Sequence, residues 1–154
     1  MLPSLVFAVE RISLILQIAA ACGLAGIAWY RHFAVYMTVH RVGRRLFPRA
    51  LAGARTVDAI VAGPLLAVDM LAACVYLFVV PVTVAPVVPL AGAAAVFGAA
   101  ALALFPKRRV LRALATEFSA AQYRRLLCFH WQFALLCSIR AILVVLLLLN
   151  VMGV

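Results

Sequence analysis

Four long apolar runs, at about residues 12–30, 57–80, 87–105 and 126–149, dictate most of what this chain can become. Each holds roughly 19 to 24 residues, and a helix of that length rises about 30 Å, the thickness of a bilayer's hydrocarbon core. In lipid the backbone must satisfy its own hydrogen bonds, so such runs cross as helices. Composition agrees: 69% of the 154 residues are hydrophobic, only 12% are charged, and the mean hydropathy is +1.20. The sequence therefore predicts an all-α fold, a polytopic membrane four-helix bundle formed as a single integral domain over residues 1–154. The opening MLPSLVFAVERISLIL places Glu10 and Arg11 ahead of its longest apolar run. It lacks the basic start and A-x-A ending of a cleaved signal, so it reads as the first span.

Fourteen Lys and Arg against four acids give a net charge of +10. In a soluble chain this would suggest nucleic acid. Here the cations gather in two connections, RVGRRLFPRALAGAR and PKRRVLRALATEFSAAQYRR, while the turn VPVTVAPVVP has none. The positive-inside rule accounts for that pattern: both basic loops are cytoplasmic, and the termini and the Pro-rich turn lie on the outer, periplasmic side of a bacterial inner membrane. Lipid and other membrane-protein subunits, or further copies of the chain, are the expected partners, and nucleic acid is not. The cysteines, Cys22, Cys74, Cys128 and Cys137, sit in apolar runs without zinc or CxxC spacing and read as packing residues.

Proline punctuates the pattern. Pro81, Pro86 and Pro89 fix the outer turn, and Pro106 ends the third helix. The first helix is expected to continue through WYRHFAVYMTVH to about residue 40, and Thr116 or Ser119 to cap the last. The stretches AAACGLAG and PLAGAAAVFGAAALALF supply small residues that permit close helix packing.

Ionised side chains inside a bilayer cost about 2.5–3.5 kcal/mol even on the lenient insertion scale, so the two deep ones carry information. Asp69 and Arg140 each lie about 15 Å from the outer end of their helices by helical rise, and are expected to pair. At about 100° per residue, Asp58, Leu65, Asp69, Ala72 and Tyr76 share one stripe of the second helix, with Pro64 between the acids. On the first helix Glu10, Ser13, Gln17 and Leu24 form a comparable stripe leading to Arg31, where Asp58 can meet it. Asp58, Asp69, Arg140, Gln17 and Tyr76 are thus the candidate ligand-binding or buried polar residues. Of the histidines, His32, His40 and His130, the pair His32 and His130 are the candidate haem ligands, since a bis-imidazole haem takes one from each of two facing helices. GxSxG, HExxH, P-loop and dinucleotide-binding motifs are absent from the sequence, as are candidate metal ligands in zinc-type spacing.

The order GIAWYRHFAVYMTVHRVGRRLFP, ARTVDAIVAGPLLAVDM and YRRLLCFHWQFALLCSIRAIL resembles small four-helix bacterial membrane proteins of the anthrone-oxygenase-like family, whose function is largely unknown. The matching positions are Pro64, Asp69, Trp131 and Arg140; where the family's pattern has Asn-x-x-Arg near the start of the last helix, this chain has HWQF. The resemblance implies the same four-helix membrane architecture. Membrane-associated glutathione and eicosanoid enzymes fit less well, because RTVDAIVAGP lacks their glutamate. Two function classes follow from the residues. One is a small non-catalytic accessory or assembly subunit of a larger inner-membrane complex. The other is a compact membrane enzyme or carrier for a hydrophobic, quinone-like or haem ligand held in the bundle.

Overall fold

A computed structural model describes residues 2–38, 41, 46–79 and 87–152; His40, Pro81 and Pro86 lie outside the described residues. Helix α1 (Leu2–Tyr30) runs on into a π-helical segment, π1 (Arg31–Tyr36). Helix α2 (Phe47–Val57), a second π segment, π2 (Asp58–Ala62), and α3 (Gly63–Val79) form another continuous rod. Then come α4 (Val87–Leu104), α5 (Pro106–Thr116) and α6 (Ala120–Met152). Four of these rods are long and apolar enough to cross a membrane: Ala8–Tyr36, Phe47–Phe78, Val87–Thr116 and Ala120–Val151.

Each rod outruns its apolar stretch toward the basic end. The second starts at Phe47 instead of residue 57, and the third reaches Thr116 instead of residue 105. Hydropathy marks where a helix meets lipid, not where its hydrogen bonds stop. Hence the two basic connections, read from sequence as loops, are largely helical as α2 and α5. Pro106 breaks α4 at Phe105 but starts α5 at once, because a proline in the first helical turn gives up an N–H that would have no partner there anyway. Thr116 closes α5 by donating to the Ala113 carbonyl at 2.8 Å, rather than capping α6.

The rods form a ring in which α1 packs on α3 and α6, and α4 packs on α3 and α6. The inner face of α6 is a seam of buried residues at alternating steps of three and four: Tyr123, Leu126, His130, Phe133, Cys137, Arg140, Val144 and Leu147. That period of 3.5 is the knobs-into-holes spacing of coiled helices. Three apolar layers stack along it. Leu14, Tyr76 and Leu147 fill the end near the termini, and Leu24, Ala28, Ala99, Phe133, Ala134 and Cys137 fill the middle. At the basic end Tyr36, Phe47, Leu51, Val110, Leu111, Leu114, Tyr123 and Leu126 join the helical extensions into a core of their own.

Candidate functional site: two buried polar centres

Polar side chains interrupt these layers at two depths. The deeper centre is built on Arg140, ten residues, or roughly 15 Å, from Asn150 near the end of α6. Arg140, Asp69, Gln17 and Ser13 are 3%, 0%, 1% and 4% exposed, and come from three rods. The Arg140 guanidinium donates to Asp69 through Nη2 at 2.8 Å and through Nε at 3.2 Å to both carboxylate oxygens, a fork that suits its planar geometry. Its Nη2 also donates to Gln17 Oε1 at 2.6 Å. The Gln17 amide nitrogen in turn donates to Ser13 Oγ and the Ala72 carbonyl, both at 3.2 Å, and Ser13 donates to that same carbonyl at 3.0 Å. The Ala72 carbonyl belongs to the turn of α3 that follows Asp69, so one stretch of α3 receives both the guanidinium and the first helix.

The fourth rod contributes space. A Cβ built on Gly92 would stand 2.5 Å from Arg140 Nη1, closer than real Cβ contacts come. The end of an arginine usually yields, but this one is tied to Asp69 and Gln17. Gly92→Ala should therefore lower the thermal midpoint, at a cost of about 1–3 kcal/mol for the displaced hydrogen bonds. The same change should be nearly silent in a chain that carries Arg140→Met with Asp69→Leu, and equal costs in the two backgrounds would show that Gly92 does not seat the guanidinium. Among the described residues, the side chains around this centre, Leu24, Leu66, Val96, Ala99 and Cys137, leave no cavity that would take a water molecule.

The second centre lies at the basic end, ten residues back along α6 at His130. Both π segments serve it: π1 carries Arg31, His32 and Tyr36, and π2 begins at Asp58. A π turn admits one more residue than an α turn and re-aims the side chains around it, and π2 ends just before Pro64, where the backbone lacks a donor. Asp58 forms an ion pair with Arg31, accepts from the Tyr36 hydroxyl at 2.9 Å and faces Lys107 Nζ at 3.7 Å. Lys107, 6% exposed, also reaches His130 Nδ1 at 3.2 Å and lies over the rings of Phe133 and Tyr36. His130 Nε2 is 3.0 Å from the Ala28 carbonyl. A carbonyl only accepts, so the ring proton sits on Nε2, and Nδ1 accepts from the lysine. The Tyr123 hydroxyl donates to the Tyr36 carbonyl and closes the centre toward α6.

The sequence candidates divide between these centres. Asp69, Arg140 and Gln17 meet in the first, and Asp58 belongs to the second. Tyr76 joins neither. It lies seven residues beyond Asp69 against Leu14 and Leu147, and its buried hydroxyl has no hydrogen-bond partner among the described residues. His32 and His130 come close, with ring centroids 5.8 Å apart and planes at 13°. Their arrangement does not suit a haem: stacked rings present faces, not nitrogens, to each other, and both nitrogens of His130 are engaged. Trp131 instead packs edge-on against Trp29, whose indole donates to Ser138 at 2.9 Å. Lys107, Tyr36, Tyr123 and Gly92 are the members that sequence reasoning missed.

No family model, curated protein or solved structure matches the chain.

Proposed function

We propose that the protein is a small non-catalytic accessory or assembly subunit of a larger complex in a bacterial inner membrane, with its basic end cytoplasmic and its termini outside. The observation that carries this reading is the closure of the Arg140 centre. A carrier or enzyme acting at mid-membrane needs a polar group facing a space for its ligand, whereas Arg140 and Asp69 satisfy each other within packed walls. Such a pair fixes helix register and leaves the outside of the bundle free for contact. That outside is apolar, with Ile15, Leu71, Phe78 and Ile142 at 65%, 67%, 87% and 60% exposure, as a surface against lipid or partner helices requires. The side assignment draws on the gathering of Arg and Lys in the two basic connections. The likeness to anthrone-oxygenase-like proteins adds the four-helix membrane setting to this proposal and no chemistry.

Purification from native membranes in a mild detergent tests the reading. The expected result is constant stoichiometry with one larger membrane protein through two chromatographic steps, and no small molecule bound in stoichiometric amount. A chain that purifies alone with one quinone-like or coloured ligand per molecule would overturn it in favour of the enzyme or carrier class.

A further inference from the structure

The basic end holds a surplus of positive charge and, beside it, an open groove. Between the end of the first rod and α2 lies a cavity of about 510 Å³. Ile27, Val35 and Val61 form its apolar wall, and Arg31 and Arg49 supply its charge. Arg31 is 4% exposed and anchored by Asp58, so its position is fixed by the bundle, whereas Arg49 stands exposed on α2. Gly53 leaves the groove open, since a Cβ there would meet nothing within 4 Å. The apolar run of the first helix ends at about residue 30, which sets the two arginines and Val35 at headgroup level, and Ile27 and Val61, on the other side of the Arg31–Asp58 pair, at the top of the acyl chains. The flank is equally lipid-facing, with Tyr30 and Ile60 each 68% exposed.

We propose that this groove binds one anionic phospholipid, its phosphate at Arg49 and the edge of Arg31, beside Val35, and an acyl chain along Ile27 and Val61. Charge complementarity selects the headgroup: the chain carries a net +10, and the Asp58 carboxylate is already faced by Arg31 and Lys107. Basic pockets between helices on the cytoplasmic side are suited to lipid phosphates. The apolar wall selects a lipid over free phosphate, which would leave that wall wet. The site rests on the membrane placement given above, and on nothing in the accessory-subunit reading.

The test uses the full chain in detergent, titrated with phosphatidylglycerol, with phosphatidylcholine of the same acyl chains, or with inorganic phosphate, and followed by native mass spectrometry. Phosphatidylglycerol should saturate at one molecule per chain, at concentrations where the other two do not bind. Arg49→Gln should weaken it about fivefold, the worth of one cation near a headgroup. Gly53→Leu should fill the groove and prevent binding, while Arg125→Gln, an exposed cation on a helix that does not line the groove, should leave it unchanged. Equal binding of both lipids, equal losses in the Arg49 and Arg125 variants, or full binding of phosphate alone each overturn the proposal. Release of the chain from membranes by alkaline carbonate refutes the membrane placement and the site together. Retention in the membrane without selective phosphatidylglycerol binding refutes the site alone.

Discussion

Arg140→Met will remove most of the folded protein from detergent extracts, and adding Asp69→Leu in the same chain will restore much of it. In the single variant the Asp69 carboxylate, fully buried, loses the three hydrogen bonds that Arg140 gives it. Stranding one member of a buried pair costs about 3–5 kcal/mol, a large share of the roughly 5–15 kcal/mol that hold a domain together. The double variant exchanges the pair for apolar groups of similar volume, which is often neutral or stabilising. What it leaves is Gln17 Oε1 without its donor, worth about 1–3 kcal/mol, while the amide end of Gln17 keeps Ser13 and the Ala72 carbonyl. Thermal midpoints in one detergent should therefore rank wild type, then the double variant, then Arg140→Met lowest. A double variant no better than the single would mean that the guanidinium does not rest on Asp69. A charge swap is the poorer experiment, because the space that Gly92 leaves for the guanidinium is shaped around an arginine on α6 and not one on α3.

The residues of this centre are the ones that sequence could reach. Arg140 and Asp69 are conspicuous because their surroundings are uniformly apolar, and Gln17 lies on a stripe of regular α-helical phase. Equal distance from the helix ends nearer the termini sets them level. Tyr76 shares their helical face by angle, but a seven-residue offset is about 10 Å along the axis, and depth separates what angle unites. The second centre was less legible for three physical reasons. Lys107 sits in PKRR directly after a proline, a pattern that resembles a solvated loop, and only the immediate restart of helix as α5 turns it inward. Tyr36 and Arg31 lie on a π segment, whose wider turn breaks the 100° phase on which a stripe is read. Gly92 is one of several small residues in α4, and its particular role depends on a side chain 48 positions away. The spacing on α6 did contain a usable signal: the three-and-four alternation from Tyr123 to Leu147 includes both His130 and Arg140, so the seam itself marks where each polar centre meets the last helix.

Asp58→Leu carries the second large effect, and its reach should differ. Asp58 is the carboxylate that faces both Arg31 and Lys107, and it also accepts from Tyr36. Its side chain is 22% exposed, which lets water in and holds the cost near the lower end of the buried range, about 3 kcal/mol. Asp58→Asn keeps an acceptor for Tyr36 without the charge and should fall between wild type and leucine. Adding Lys107→Met to Asp58→Leu should recover part of the loss by removing one of two stranded cations, though His130 Nδ1 then loses its donor. Because the centre ties π1 to π2 and α5, hydrogen exchange should rise in residues 47–62 and 106–116 while the middle of α3 and α6 keeps its protection. The Arg140 centre lies about 15 Å away along α6 and shares no hydrogen-bonding side chain with this one, and interactions at that separation are close to independent. Uniform loss of protection along all four rods would instead show that the two centres stand or fall as one cooperative unit.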